Sequence, residues 1–550
     1  MRLAGKKFII FILYILLLIG CLGIVVTVSR LAGDSGRHPH TPEESGAGIL
    51  RETEATPADA AQDGLADSVR PENEIPAEVQ EDDGSIGWSE AYRRWYWKNR
   101  DQKMGLILPE ETAPEEPYVP PTIMLASDLH YMSSTTHDEG AAFWKMVDAD
   151  DGKLNQYSEE MIDALVEEVI ARQPSALVLS GDITLNGERE NHEKLAEKLR
   201  KVQEAGVPVA VIPGNHDIKN KNAATYFGDK REEAEYLHSG EEFREIYHEF
   251  GYDQSPNRDP DSLSYVFPVD AGHWLLMIDS CQYEDYNHVN GRLKPETLAW
   301  LEVHLQVAKE HGIQVLPVAH HNLLSQSRLY KTECTLENYD EVITLLERYE
   351  VPLYVSGHLH AQRIKKHKPA PGTPEDAYGI SEIVLSPYSM PPNQYGELSW
   401  TGDGDMVFET RRVDVAAYMD ETAASQLPEE GMEALSKSVI RKQVMKTIQG
   451  IPDDLKETMA SLYANLYYDY CAGNRMTWDA VQMTKAYLLW QRVSPDSKYV
   501  AEMGEMIEDV KEDLHDWEWE NTGPGFGTGP DDGDEDGKAG QLKMQGVDDK

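Results

Sequence analysis

Val207-Pro208-Val209-Ala210-Val211-Ile212-Pro213-Gly214-Asn215-His216-Asp217 is an apolar run that breaks at Pro-Gly and then offers an amide oxygen, an imidazole and a carboxylate in succession. The run reads as a buried strand and the break as a tight loop. Alone, Gly-Asn-His-Asp fits an ordinary turn, because Asn and Asp favour turns. Four other clusters change that reading, each at the end of an apolar run. Asp128 and His130 follow 122–126, Asp182 follows 176–179, His320 and His321 follow 314–319, and His358 and His360 follow 353–355.

Helical spacing fills the gaps between these runs. Ile162, Leu165, Val166, Val169 and Ile170 predict an amphipathic helix over 158–172, with Ser158 as its cap. Leu195, Leu199 and Val202 mark another before the strand at 207. Strand, helix, strand in alternation predicts parallel pairing. Further helices are expected over 241–250, 295–310 and 337–350. Further strands are expected over 263–267 (alternating, hence antiparallel), 274–278, 383–385 and 406–410.

In an open α/β sheet, ligands gather outside the carboxyl ends of the strands, so clusters far apart in sequence can meet there. Carboxylate, amide oxygen and imidazole together suit a borderline divalent metal such as Mn, Fe or Zn better than Mg or Ca. These side chains exceed the needs of one ion and fit two ions that share a carboxylate.

The order Asp-x-His, Gly-Asp, Gly-Asn-His-Asp, His, Gly-His-x-His from Asp128 to His360 resembles the calcineurin-like metallophosphoesterases. Asp182-Ile183-Thr184-Leu185-Asn186-Gly187-Glu188, His320-His321-Asn322 and a helical C-terminal region look closest to the bacterial class III cyclic-nucleotide phosphodiesterases. The resemblance implies an α/β fold, a calcineurin-like four-layer αββα sandwich of two mixed sheets flanked by helices, plus a small all-α C-terminal domain. It implies that Asp128, His130 and His360 hold a first metal, that Asn215, His320 and His358 hold a second, and that Asp182 bridges them. His358 and His360, two apart in an extended segment, would then point the same way. The resemblance also places His216 near the leaving oxygen as an imidazolium. Asp217 would orient that histidine or cap a following helix, and His321 would sit just outside the ligands. His137, His192, His273, His288 and His304 match no position of the family and read as structural or exposed.

The implied activity is hydrolysis of a small phosphate ester, most simply a 3′,5′-cyclic nucleotide, by metal-activated water. A phosphomonoesterase, or a hydrolase of lipid or wall phosphates, would use the same residues, and a non-catalytic tethered binding protein is the remaining alternative.

Composition narrows the partners. The 550 residues carry 97 acidic against 51 basic side chains, a net charge of -46, which argues against a basic face for nucleic acid. Residues 8–28 form an apolar stretch long enough to span a bilayer, flanked by Arg2, Lys6, Lys7 and then Arg30 and Arg37. It reads as a signal anchor (domain 1–30). A cleaved signal peptide is one alternative, and a lipoprotein acylated at Cys21 of Leu18-Ile19-Gly20-Cys21 is another. All three place the body outside the cytoplasm, where cyclic nucleotides are scarce.

An acidic Pro- and Ala-rich stretch, 31–121, reads as a disordered stalk interrupted by the aromatic segment 88–97. The catalytic domain is expected over 122–418. From 419 to 520, strand runs vanish and helices are expected at 429–449, 452–471, 477–490 and 497–517. Tyr463, Tyr467, Tyr468 and Tyr470 there read as a packing face, with a binding surface as the alternative. The Gly- and Asp-rich stretch 521–550 reads as a disordered tail; its 531–537 run lacks the downstream Glu of a calcium loop. Cys281, Cys334 and Cys471 are too widely spaced for a zinc framework.

Overall fold

The computed structural model describes residues 118–331, 334–368, 379–419, 421–427 and 431–521. The apolar stretch 8–28 with Cys21, the stalk up to 117, the aromatic segment 88–97 and the tail from 522 lie outside the described residues. No helix among the described residues is long and apolar enough to cross a membrane.

Two six-stranded mixed sheets face each other. The first runs β14-β13-β12-β1-β2-β3. Its members are β1 (Thr122–Ala126), β2 (Ala176–Ser180), β3 (Val209–Ile212), β12 (Gln394–Trp400), β13 (Met406–Arg412) and β14 (Asp516–Trp519). The second runs β10-β11-β9-β8-β7-β6. It comprises β6 (Tyr265–Pro268), β7 (His273–Ile278), β8 (Gln314–Ala319), β9 (Leu353–Ser356), β10 (Arg363–Lys366) and β11 (Ser381–Val384). β4 (Ala224–Phe227) and β5 (Lys230–Glu233) form a separate hairpin.

β2 is buried along its whole length, which is why it reads as an unbroken apolar run rather than an alternating one. Leu125, Val178 and Val211 of the first sheet share a core with Leu275, Leu316, Val355 and Ile383 of the second. Helices α2 (Ser158–Arg172) and α3 (Arg189–Glu204) follow β1 and β2 and pack into this same core. Beyond the second sheet, α5 (Pro295–Glu310) and α6 (Tyr339–Arg348) pack Trp300 and Leu346 against Trp274 and Leu276 in a second core. The result is the expected αββα sandwich. Two smaller helices, α1 (Ala141–Val147) and α4 (Gly240–Tyr247), lie in the connections.

The strand pairing sets up the site. β1, β2 and β3 are parallel, with Ala126 opposite Leu179 and Ser180 opposite Ile212, so their carboxyl ends finish level. β7, β8 and β9 are parallel in the second sheet. β6 pairs antiparallel with β7, as its alternation predicts.

Several expectations change. Ser158 does not cap α2: Tyr157 precedes the helix, and the Ser158 hydroxyl accepts the Met132 N–H at 2.9 Å. The 241–250 helix is α-helical to Tyr247 and continues as a π turn over His248–Tyr252, in which Phe250 and Gly251 (φ 104) leave helical geometry. The helices α7 (Gly431–Thr447), α8 (Asp453–Ala472), α9 (Lys485–Val493) and α10 (Lys498–Asp509) form the expected helical region, but the 477–490 helix is broken, with the short helix Trp478–Val481 preceding α9. The 497–517 helix ends at Asp509. The chain then returns as β14, pairing Trp519 with Met406 and Trp517 with Phe408. The region after 419 is therefore not all-α; its last strand belongs to the first sheet. Tyr463, Tyr467, Tyr468 and Tyr470 are buried in the helical core and form its packing face. Cys281, Cys334 and Cys471 are free thiols.

Candidate metal centre

Each strand-end loop carries a chemical group to one point between the sheets. The sheets are stitched together there by the site itself. Gly357 N–H donates to the His320 carbonyl at 3.0 Å within the second sheet. His320 Nδ1–H crosses to the Ser180 carbonyl in the first sheet at 3.0 Å. The His358 N–H donates to both Asp128 carboxylate oxygens, at 3.1 and 3.2 Å.

Five of the expected ligands have left-handed backbones: Asp128 (φ 52), His130 (φ 42), Asp182 (φ 47), His358 (φ 66) and His360 (φ 56). They are half of the ten non-glycine residues in that conformation among the described residues. Each such residue costs about 1–3 kcal/mol and persists where its surroundings over-determine it. This corrects the extended geometry expected for Gly-His-x-His. Two left-handed turns, rather than a shared strand face, bring His358 and His360 inward. Gly357 and Gly214 are required by close approach: a Cβ at Gly357 would meet Ser127 and Asp128, and one at Gly214 would meet Asp182.

Two groups of donor atoms result. Atoms of Asp128, His130, Asp182 and His360 lie within 4.8 Å of one another, as do those of Asp182, His320 and His358. His130 Nε2 is 3.0 Å from His360 Nε2, which in turn is 3.3 Å from Asp128 Oδ1. Asn215 Oδ1 is 3.1 Å from His320 Nε2, which is also 3.2 Å from His358 Nδ1. Asp182 belongs to both groups. Its Oδ1 accepts the His216 N–H at 2.7 Å. Its Oδ2 is buried without a hydrogen-bond partner, 3.2 Å from His320 Nε2 and 3.9 Å from His130 Nε2. A buried carboxylate oxygen left bare at the junction of two donor groups is what a shared cation ligand requires.

Charge follows the same division. Burial opposes ionisation of Asp182, but His320, His216 and His130 outweigh it and hold the carboxyl well below its usual range. Burial lowers His320 and His360, while Asp182 and Asp128 on the first, and Asp128 and Asp151 on the second, bring each to about 9.

Asp217 behaves differently from expectation. His216 Nδ1–H donates to the Leu185 carbonyl at 2.6 Å, and burial lowers its pKa. Asp217 neither orients the His216 ring nor caps a helix. Its carboxylate receives the N–H groups of Ile183, Thr184 and Gly214 and the Thr184 hydroxyl, tying the Asp182 loop to the Gly-Asn-His-Asp loop. Burial and the Asp182 charge push it up to about 7.

His321 spends both ring nitrogens outside the donor groups, one with Ser280 Oγ at 2.8 Å and one on the Val289 carbonyl at 2.9 Å. His192 is buried against the Asp217 carbonyl and the Tyr247 hydroxyl. His137 stacks on Phe143. Both lie apart from the donor groups, as do His273 and His304, which pack against Trp400 and Trp300, and His288, which stacks on Tyr286.

The family model for calcineurin-like phosphoesterases matches residues 121–362, from the start of the first sheet to just past His360. Residues 121–362 form a calcineurin-like phosphoesterase domain. A protein of Vesicomyosocius okutanii named as a probable cyclic nucleotide phosphodiesterase is 23% identical to the chain over 186 residues. That stretch covers 34% of this chain and 61% of the relative. Among solved structures, a dimetal phosphatase from Danio rerio aligns with a TM-score of 0.39 at 15% identity, over 54% of this chain and 97% of its own. PhoD aligns with a TM-score of 0.33 at 14% identity, over 54% of this chain and 66% of its own.

The phosphoesterase domain also brings to the site two residues that no motif marks, Asp151 and Lys153. Asp151 Oδ2 lies 3.5 Å from His360 Nδ1, and Lys153 Nζ lies 2.6 Å from Asp151 Oδ1. In sequence, Asp148-Ala149-Asp150-Asp151-Gly152-Lys153 looks like a solvated turn. Only the fold shows that Lys153 is 1% exposed.

Proposed function

We propose that the chain is a two-metal phosphoester hydrolase acting on a phosphodiester such as a 3′,5′-cyclic nucleotide. Support comes chiefly from the convergence of six donors around Asp182, whose Oδ2 is buried without a hydrogen-bond partner. In this reading Asp128, His130 and His360 hold one cation, Asn215, His320 and His358 hold the other, and Asp182 is common to both. The mixture of nitrogen and oxygen donors favours Mn, Fe or Zn. Bound cations would neutralise the diester and supply a nucleophilic water near neutral pH.

The chain's own residues do the rest. The Ser180 carbonyl fixes the His320 tautomer with Nε2 toward Asp182 and Asn215. The Leu185 carbonyl likewise fixes His216, leaving Nε2 as the atom that can reach the leaving oxygen. The negative charge of a bound phosphate diester favours the doubly protonated ring. Nε2–H can then donate to the departing alkoxide. Asp217 holds the loop that places this ring.

The run 8–28 between basic residues supports a membrane tether, with the phosphoesterase domain outside the cytoplasm. The name of the bacterial relative supports the diester substrate.

The test is turnover of cyclic AMP, bis(p-nitrophenyl) phosphate and p-nitrophenyl phosphate with Mn2+, Fe2+ or Zn2+. Diester hydrolysis exceeding monoester hydrolysis is expected. Monoester turnover far above diester turnover would replace the diesterase with a phosphomonoesterase, and a folded protein inert with every metal would overturn the enzyme reading.

A further inference from the structure

The loop that carries Asp151 connects the metal centre to the helical region. Asp151 lies beside the Nδ1 edge of His360, and the opposite edge, Nε2, faces Asp128 and His130. A carboxylate behind a ligating imidazole fixes its tautomer and orientation and makes it a stronger donor. Asp151 is itself held by the Lys153 ammonium, which also lies 3.2 Å from Asp150 Oδ1. Asp150 accepts the Asn155 side-chain N–H at 2.6 Å. The loop is therefore a chain of charges ending on one metal ligand.

Helix α7 grips that loop by its backbone. The buried Ser436 hydroxyl donates to the Gly152 carbonyl at 2.7 Å, and the Gln443 side-chain amide donates to the Asp150 carbonyl. Lys442 lies 3.5 Å from Asp148. Gly152 takes φ 115, and a Cβ there would press on Ser436, Ile440 and Met390, so the fit between helix and loop leaves no slack. Among the described residues no comparable carboxylate stands behind His320, whose outer nitrogen donates to a backbone carbonyl. His320 is thus backed by a strand-end carbonyl, whereas His360 is backed by a loop that the helical region secures.

We propose that Asp151 is a positioning residue for His360, and that α7, by securing the 148–154 loop, sets the cation affinity of the Asp128–His130–His360 position selectively. This role presupposes the two-cation reading above.

Mn2+ titration of the full chain by calorimetry tests both. Wild type should bind two ions, and His360→Ala identifies which step belongs to its position. Asp151→Ala should weaken that step by about 10–100-fold and leave the other unchanged. Asp151→Asn, which keeps an acceptor for the Nδ1–H but loses the charge, should fall between Ala and wild type. Asp151 is 24% exposed, so neither change opens a sealed cavity. The double variant Ser436→Ala/Gln443→Ala should weaken the same step by a smaller factor. Wild type binding no Mn2+ would overturn the metal-site reading itself. Wild type binding two, with Asp151→Ala leaving both steps unchanged or weakening both equally, would overturn the role of Asp151. A double variant with wild-type affinity at the His360 step would overturn the part assigned to α7.

Discussion

The strand-end loops and the helical region solve opposite problems. At the loops, five ligand residues hold left-handed backbones, two glycines are boxed in by neighbouring atoms, and a carboxylate oxygen is buried bare. In the helical region the chain is relaxed. Thr484 and Ser497 cap α9 and α10 with their hydroxyls, Gly473 ends α8 in a left-handed turn, and Met503, Met506 and Ile507 fill the core. One region stores unfavourable geometry around chemistry, and the other supplies ordinary packing that can hold a strained neighbour in place. Local strain is thus a marker that separates the site from its support.

Substitutions can break this contrast in order of size. Asp182→Ala removes the one ligand common to both donor groups; bound metal should drop from two ions to one or none and turnover by several orders of magnitude, read by elemental analysis and diester assay. His216→Ala should leave both metals in place and reduce turnover by about 10²–10⁴-fold. Metal loss in that variant would place His216 among the ligands. A pair of glycine substitutions compares the regions directly. Gly357→Ala forces a methyl against Ser127 and Asp128 and should destabilise by about 1–3 kcal/mol in denaturant melts, with metal affinity falling in parallel. Gly504→Ala, inside α10 with its nearest neighbour at 3.6 Å, should stabilise by about 0.5–1 kcal/mol. Equal effects at the two glycines would erase the distinction between strained loop and relaxed helix.

How much of this was legible in the sequence depended on where burial came from. β1, β8, α2 and α5 were readable to the residue, because their burial pattern is written in their own apolar spacing. β12 was invisible: Gln394-Tyr395-Gly396-Glu397-Leu398-Ser399-Trp400 has too few apolar residues to stand out, and it is a strand because β1 and β13 pair with it on both sides. β14 was read as helix end, since Asp516-Trp517-Glu518-Trp519 shows its alternation over only four residues. The β4–β5 hairpin carries an entirely exposed strand, Lys230–Glu233, with no apolar signal at all.

The seven donors could be named from sequence because the order of the strand-end motifs resembles a known family; chemistry alone narrowed the candidates only to strand-end Asp, Asn and His. The tertiary structure alone decided how they converge. Left-handed turns at His358 and His360, the Leu185 carbonyl that anchors the His216 ring and the clamp made by Asp217 depend on atoms from several loops at once. So does the conversion of a surface-looking lysine, Lys153, into a buried cation beside the site. Residue type and spacing are properties of one segment, whereas burial, backbone strain and charge balance are set by the neighbours that folding brings to it.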